Sequence, residues 1–267
     1  MLCISASEGV MPQTREHLDI CKLLGIREGA VVLTKVDLVD DEWLELVEED
    51  IREFTAGTFL EGKPIWHFSP HDENLVSETR SKLDAWIRDY AARKPVPDDT
   101  RPFKLSLDRV FSMKGFGTVV TGTVTSGVLN DSDELVSDAR DIQIKVRGIQ
   151  VHGEKQTQAL TGSRTAINLQ GVEKNELKRG DVLTRKGELF STSMIDIQLT
   201  LVSSLEKPVQ KRSKVLLHIG TTQLVATLVL LNTEEGQGGE QILGQLRLER
   251  PTVVLPGEHF ILRGFEV

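Results

Sequence analysis

The spacing of apolar residues divides the chain into an α/β part and an all-β part. In residues 1–93, short apolar runs alternate with longer segments whose apolar residues recur every three or four positions. The runs predict strands at 1–6, 30–34 and 64–69, and the longer segments predict helices at 12–24, 41–54 and about 75–92. Strands separated by helices are typical of parallel βαβ units. We therefore expect residues 1–93 to be part of a parallel-sheet domain, with Leu83, Trp86, Ile87 and Tyr90 of the last helix facing inward.

The segment KPVPDDTRP (94–102) separates the two parts. Its three prolines stand among charged residues, which predicts a stiff, extended linker. Beyond it, short β-branched runs alternate with Gly, Asn and Asp turns, and no segment has convincing helical periodicity. So many short strands predict two antiparallel β-barrels, which we place at 103–187 and 188–267.

Composition and charge narrow the class of protein. The hydrophobic fraction of 39% and charged fraction of 27% are ordinary for a soluble globular protein. No apolar run reaches the roughly 18 residues of a membrane helix, and the start lacks the basic lead of a signal peptide. Cys3 and Cys21 lack metal-ligand spacing, so we expect buried, reduced thiols in a cytoplasmic protein with no membrane association. The net charge of −8 comes from the first hundred residues, so a nucleic acid would have to bind local basic patches in the later part.

A candidate nucleotide site follows the buried run 30–34, where Thr34 is succeeded by Lys35, Val36 and Asp37. The carboxyl edge of a parallel sheet is where nucleotides bind. An ionised aspartate accepts two hydrogen bonds at once, which suits the adjacent N–H donors of guanine and not the edge of adenine. The aliphatic stem of Lys35 is long enough to lie along the base. The alternative is that Asp37 or Asp40 caps the next helix, and the tetrapeptide alone leaves both open.

The phrase GVMPQTREHL (9–18), followed by a strand and TKVD, resembles the second half of the GTPase domain of translational GTPases of the elongation factor Tu class. The resemblance implies that Thr34, Lys35 and Asp37 bind guanine and that Ser69 takes the first position of a Ser-Ala pair closing over the base. Pro70 stands where the family has alanine. Proline lacks the backbone N–H that the family directs at the guanine oxygen.

Other parts of the family's GTPase motif are not found in this sequence. It contains no G-x-x-x-x-G-K-[ST] loop, no Asp-x-x-Gly before the first strand and no switch threonine. In the family these elements precede the point where this chain begins, and they hold GTP or GDP with Mg²⁺. The resemblance therefore implies an internal fragment of a GTPase, and we expect it not to hydrolyse GTP by itself.

The stretch 103–129 resembles the second domain of translational GTPases, and three residues narrow the resemblance. Asp108, Arg109 and Arg164 match the residues lining the aminoacyl pocket of the selenocysteine-specific elongation factors. A selenol is an anion at neutral pH, and two guanidinium groups favour it over the neutral hydroxyl of serine. Asp108 would hold one arginine in place. Without the resemblance, an Asp-Arg pair on a strand indicates a surface ion pair of little energetic consequence.

The segments 214–231 and 245–263 resemble the third domain of the same family, which implies tRNA phosphate contacts by Arg247, Arg250 and Arg263. Each arginine taken singly also fits a solvated surface position. The implied function is GTP-dependent delivery of selenocysteinyl-tRNA to the ribosome. In the family, the selenocysteine insertion element of mRNA binds C-terminal winged-helix domains that lie outside this sequence.

Two alternative functions remain open from the sequence. One is another translational GTPase, such as elongation factor Tu or the archaeal-type initiation factor gamma subunit; the set Asp108, Arg109 and Arg164 argues against it. The other is a nucleotide-independent pair of barrels that binds tRNA or a protein, which the missing phosphate loop favours.

Overall fold

The computed structural model describes residues 1–93, 98–138 and 140–264. The chain forms two compact units, Met1–Pro95 and Val96–Val267. Of the predicted linker 94–102, residues 94–97 lie outside the described residues. No helix in the described ranges has the length and apolar character needed to cross a membrane.

The first unit is a three-stranded parallel sheet with three helices. The strands pair in the order β1-β2-β3 and the helices alternate with them; the bounds are β1 (Leu2–Ser5), α1 (Pro12–Leu23), β2 (Val31–Thr34), α2 (Asp41–Thr55), β3 (Ile65–Phe68) and α3 (Glu73–Arg93). The predicted parallel βαβ arrangement is confirmed by the registers Leu2↔Val31 and Thr34↔Phe68. The central strand β2 is the continuous apolar run of the sequence, as a strand covered on both faces requires.

The two faces of β2 bury different sets of side chains. Val31 and Leu33 pack with residues of α1 and α2, and Val32 packs with Trp66 and with α3. The expectation that Ile87 and Tyr90 face inward was wrong, because they are 48% and 38% exposed. A helix of 21 residues spans about 31 Å, whereas strands of four residues span about 13 Å, so the sheet covers only part of α3.

The prediction that both cysteines are buried was wrong, since Cys3 is exposed and Cys21 is half-buried, although both are free thiols. Cys3 lies on β1, at the edge of the three-stranded sheet, and is paired with Val32. Its side chain therefore projects to the α3 face, and the hydrophobic cluster under α3 is built from β2 and β3. A strand at the edge of a sheet has a neighbouring strand on one side only, so its side chains are less buried than those of a central strand.

The second unit begins with a closed antiparallel barrel, here called the first barrel. Its main sheet has the order β11-β5-β4-β12-β7-β8-β9, and β11 also pairs with β8, which closes it. The strands are β4 (Lys104–Met113), β5 (Gly117–Ser126), β6 (Leu129–Asn130), β7 (Glu134–Ser137), β8 (Arg140–Val151), β9 (Glu154–Gln156), β10 (Gln158–Ala159), β11 (Arg164–Gln170) and β12 (Val182–Arg185). Alternate residues of the strands fill the interior, among them Leu105, Leu107, Val120, Ile149 and Ile167.

The remaining strands form a five-stranded antiparallel sheet, here called the C-terminal sheet, and a small ribbon. The order is β13-β18-β16-β15-β19, with β14 and β17 paired separately. The strands are β13 (Thr192–Thr200), β14 (Val209–Gln210), β15 (Arg212–Ile219), β16 (Thr222–Leu230), β17 (Glu235–Gly236), β18 (Gln241–Thr252) and β19 (Ile261–Gly264). Within the described residues no pairing between β13 and β19 closes this sheet, in contrast to the first barrel.

Polar contacts join the first barrel to the C-terminal sheet. The Lys104 ammonium, on a residue that is 1% exposed, lies 2.6 Å from Oε1 of Glu258. The Thr222 hydroxyl donates to the carbonyl of Gly180 at 2.6 Å. Such directional contacts fix the relative orientation of the two β structures more narrowly than apolar packing would.

Candidate functional site

The loop after β2 is anchored to β1 through Thr34. The Thr34 hydroxyl donates to the carbonyl of Ile4 at 3.1 Å, and the Thr34 carbonyl accepts from the amide of Ala6 at 2.7 Å. The hydroxyl and the carbonyl of Thr34 therefore both hold the end of β2 against β1. Its contribution to a nucleotide site is the placement of the residues that follow.

Lys35 turns the chain sharply at the end of β2. Its backbone is left-handed, with φ 60° and ψ 33°, a conformation that costs a non-glycine residue about 1–2 kcal/mol. A single 3₁₀ turn, Val36–Leu38, follows directly. The Lys35 ammonium lies 3.9 Å from the Glu8 carboxylate, and both side chains are about half exposed. The turn leaves Asp37 exposed at the carboxyl edge of the sheet.

Asp37 and Ser69 follow the adjacent strands β2 and β3, whose ends pair at Thr34↔Phe68. Ser69 is fully buried, and its hydroxyl oxygen accepts from the amide of His71 at 3.1 Å. The pKa of Asp37 is lowered from its ordinary value, chiefly by a hydrogen bond with the Ser69 hydroxyl, and further by its own amide and the positive charge of His71. Asp37 is therefore ionised at neutral pH, and its carboxylate can accept paired N–H donors.

The competing role of helix cap belongs to a different aspartate. Asp40 is the N-cap of α2, where Oδ1 accepts from the amide of Trp43 at 2.9 Å. Asp37 lies three residues earlier in the 3₁₀ turn and does not cap α2. Asp40 is therefore the cap of α2, and guanine binding by the exposed Asp37 stays a prediction.

The first barrel brings Asp108 and Arg164 together. Leu107 pairs with Gly122 and Arg109 with Thr121, so Asp108 is an extra residue in β4 and forms a bulge. One Asp108 oxygen accepts from the Thr121 hydroxyl, and the other lies 2.5 Å from Nη1 of Arg164 at the start of β11.

Glycine is required at the narrowest point of this bulge. A Cβ on Gly122 would lie 2.4 Å from the Ser106 carbonyl oxygen, closer than side-chain carbons approach a backbone oxygen. Gly122 therefore permits the close approach of β4 and β5 on which the position of Asp108 depends.

Arg109 is the second cation at this position. It is exposed, and among the described residues its side chain makes no hydrogen bond or ion pair. The site thus combines a carboxylate that is 18% exposed, an arginine paired with it, and an unpaired arginine on the adjacent residue. Its net charge is positive, which suits a small anion.

The three arginines of the C-terminal sheet differ in exposure. Arg247 and Arg263 are exposed, because the neighbouring Leu246 and Leu248 of β18 and Leu262 of β19 pack with the core. Arg250 is half-buried, and its charge acts on the buried carboxyl of Asp181. The three residues therefore differ in how far their charges are available to a partner.

Sequence reasoning missed Lys214, which lies on the same row of the sheet as Arg247. Arg247 pairs with Thr227, and Thr227 pairs with Lys214, so the two cations are two strands apart, about 10 Å. The alternation of exposed and buried residues in β15 marks Lys214 as outward-facing. The strand order, which places Lys214 two strands from Arg247 in the same row, is a property of the tertiary structure.

Among the described residues no group of three or more His, Cys, Asp or Glu side chains is arranged to hold a metal ion.

Comparison with known proteins identifies two domain families. The model of the elongation factor Tu GTP binding domain matches residues 1–173, and the model of the selenocysteine-specific elongation factor beta-barrel domain matches residues 196–266. The first match extends beyond the parallel-sheet unit and into the first barrel.

Two curated proteins are similar along nearly the whole chain. The selenocysteine-specific elongation factor of Desulfomicrobium baculatum is 43% identical over 265 residues, which are 99% of this chain and 41% of that protein. That of Haemophilus influenzae is 31% identical over 264 residues, covering 98% of this chain and 40% of that protein. The chain spans about two fifths of the length of both relatives.

Two solved structures share the fold. A bacterial selenocysteine-specific elongation factor EF-Sec superposes with a TM-score of 0.80 at 25% identity, covering 98% of this chain and 42% of that one. Translation elongation factor SelB from Methanococcus maripaludis, in its apo form, gives a TM-score of 0.82 at 26% identity, with coverages of 97% and 59%. With the family-model matches, these similarities show that the chain belongs to the elongation factor Tu family of GTP-binding proteins and, within it, to the selenocysteine-specific elongation factors.

Proposed function

We propose that this chain takes part in the GTP-dependent delivery of selenocysteinyl-tRNA to the ribosome, a reaction that would place it in the cytoplasm. The observation that carries the proposal is the cationic site of the first barrel, in which Arg109 lies beside the paired Asp108 and Arg164. The relatives' name, selenocysteine-specific elongation factor, supports the same function. The selenocysteine insertion element of mRNA has no assigned residue in this chain.

The chemistry of selenocysteine gives this site its specificity. A selenolate is an anion at neutral pH, and the seryl hydroxyl that competes with it is neutral. Arg109 offers an uncommitted guanidinium, and Arg164 has several N–H groups besides the one that lies against Asp108. Asp108 is assigned the role of positioning Arg164, with Thr121 holding the carboxylate from the other side.

A guanine site is proposed at the other unit of the chain. Asp37 accepts the N1–H and N2–H donors of guanine, Lys35 lies along the base, and Thr34 and Ser69 hold the two loops in place. The exposed, ionised carboxylate fits this role. When bound, a GTP molecule supplies the free energy released on hydrolysis of its γ-phosphate. No residue of this chain is assigned to the phosphates.

Arg247, Lys214 and Arg263 are proposed to bind tRNA phosphates, since all three are exposed on the outer side of the C-terminal sheet. Arg250 is proposed to contribute less to tRNA binding, because its positive charge already interacts with the carboxyl of Asp181.

The decisive experiment compares selenocysteinyl-tRNA with seryl-tRNA on the same tRNA body. Binding to the chain is measured by protection of the aminoacyl ester from hydrolysis, with GTP, with GDP and without nucleotide. We expect a preference for selenocysteine that Arg109→Ala or Arg164→Ala reduces by about 10- to 100-fold, the value of a charged hydrogen bond. Arg147→Ala, which removes an exposed arginine of the same barrel, is the matched control.

The outcomes separate the functions that remain. A selenocysteine preference unchanged by both arginine substitutions would reject the pocket. Equal binding with and without nucleotide would favour a nucleotide-independent tRNA-binding module.

A further inference from the structure

The backbone positions that directly follow Ser69 offer no free donor to a base held by Asp37. Pro70 has no N–H. The His71 amide donates to the Ser69 hydroxyl oxygen at 3.1 Å, and the Asp72 amide points at the Ser69 carbonyl at 3.4 Å. The Asn74 and Leu75 amides donate to the Asp72 carboxylate.

Guanine nevertheless presents an acceptor at this position. Its O6 is adjacent to the N1–H that a carboxylate reads, so a site that accepts from N1–H and N2–H leaves O6 beside it. An acceptor that loses water without gaining a donor weakens binding. With the His71 and Asp72 amides engaged, a side chain of the same loop can supply the donor.

The nearby side chains are engaged elsewhere, with one exception. The Thr34 hydroxyl donates to the Ile4 carbonyl, and the Lys35 ammonium, whose stem lies along the base, is 3.9 Å from the Glu8 carboxylate. The Ser69 hydroxyl has a single proton, and its hydrogen bond with Asp37 lowers the pKa of that carboxyl. Among the described residues the His71 imidazole makes no hydrogen bond or ion pair, and His71 is exposed in the turn that begins at Ser69.

We infer that the imidazole of His71 donates a hydrogen bond to guanine O6 and is a specificity-determining residue of the nucleotide site. The hydroxyl of the fully buried Ser69 accepts from the His71 amide and so fixes the backbone of His71 at the end of β3. Asp37 then reads the two N–H groups of guanine and His71 reads its oxygen. Asp37 and His71 follow β2 and β3, whose ends pair at Thr34↔Phe68, so the two loops leave the same edge of the sheet. This inference rests on the proposed guanine site.

The test changes one atom of the ligand and one side chain of the protein. Binding of GDP, 6-thio-GDP and IDP to the full chain is measured by ligand-observed NMR. The sulphur analogue keeps N1–H and N2–H and weakens the acceptor, whereas IDP lacks the amino group that Asp37 accepts. The variants are His71→Ala, His71→Gln, which retains an N–H donor, and His17→Ala, which removes an exposed histidine of α1 as a control.

In the wild type and the His17 variant, sulphur substitution is expected to weaken binding about tenfold. In His71→Ala, sulphur substitution is expected to weaken binding by less than about twofold, whereas in His71→Gln most of the tenfold effect returns. The effects of a protein change and a ligand change depend on each other only when the two groups are in contact. The loss with IDP stays the same in all three histidine variants.

An unchanged sulphur effect in His71→Ala, or none in the wild type, overturns the role of His71 while the IDP loss still supports the guanine site. Equal binding of GDP and IDP, or no binding of GDP, overturns the guanine site and with it the inference.

Discussion

Lys104 and Glu258 form an ion pair between the first barrel and the C-terminal sheet, although they are 154 residues apart in sequence. The Lys104 side chain is 2% exposed and that of Glu258 is 17% exposed. The same carboxylate also accepts from the amide of Leu255 at 3.0 Å. One carboxylate therefore neutralises a buried ammonium and shapes the loop that carries it.

Replacing Glu258 by Gln is expected to destabilise the second unit by about 3 kcal/mol, because a buried ammonium is left without a counter-charge. Lys104→Met removes the charge and keeps the apolar stem, so it should cost less, and the double variant should be close to Lys104→Met alone. Urea denaturation followed by far-ultraviolet circular dichroism measures the free energy of unfolding of the three variants. All three tryptophans, Trp43, Trp66 and Trp86, lie in the first unit, so their fluorescence reports that unit separately.

The control for this prediction is an exposed ion pair of the same unit. Lys211 and Glu234 are 48% and 77% exposed, and Glu234→Gln should change the free energy of unfolding by less than about 0.5 kcal/mol. A similar small effect of Glu258→Gln would contradict the importance given to the buried pair.

Asp40→Ala is expected to destabilise the first unit by about 1 kcal/mol, because the amide of Trp43 loses its acceptor at the start of α2. Tryptophan fluorescence during urea denaturation is the measurement. Asp41→Ala changes the next acidic residue, which lies inside the helix and is not its cap, and should have a smaller effect. Equal effects of the two substitutions would mean that charge near the helix end, and not the cap, is responsible.

Asp181 makes the stability of the second unit depend on pH. Burial raises its pKa above the ordinary value of 3.8, and the charge of Asp138 raises it further. The Lys178 amide and the charges of Lys178 and Arg250 oppose this shift without cancelling it. One oxygen of Asp181 accepts from the Lys178 amide, and the other has no hydrogen-bond partner among the described residues.

A carboxyl whose folded-state pKa is raised contributes stability below its unfolded pKa and loses that contribution as the pH rises through the folded value. Stability should therefore fall as the pH rises from about 3.8 through the raised pKa of Asp181. Asp181→Asn should remove this part of the pH dependence, as measured by thermal unfolding at a series of pH values. Asp131→Asn, at an exposed site of the same barrel, should leave it intact; an unchanged profile in Asp181→Asn would assign the titration to another group.

Arg247→Ala and Lys214→Ala should each reduce the salt dependence of tRNA binding. Loss of one phosphate contact lowers the slope of log affinity against log salt by about 0.7–0.9. Arg250→Ala should change the slope less, since Asp181 shares its charge. Lys207→Ala, in the connection between β13 and β14, is the control, and an equal effect there would indicate only non-specific attraction.

Local sequence patterns determined most of the secondary structure of this protein. Apolar periodicity located β2 and α2 within one or two residues, and the motif TKVD placed Asp37 after a buried strand. The boundaries depend on neighbouring residues and their caps, and these are encoded within one or two turns of chain. The exposure of Ile87 and Tyr90 escaped this reasoning because it depends on how much of α3 the short sheet can cover.

Only the tertiary structure decided which distant groups meet. The sequence implied that Asp108 holds an arginine; the fold pairs it with Arg164, 56 residues away, and leaves the adjacent Arg109 unpaired. The register of β18, β16 and β15 likewise placed Lys214 in line with Arg247. Pairing register and barrel closure arise from the packing of the whole unit, so no short stretch of sequence contains them.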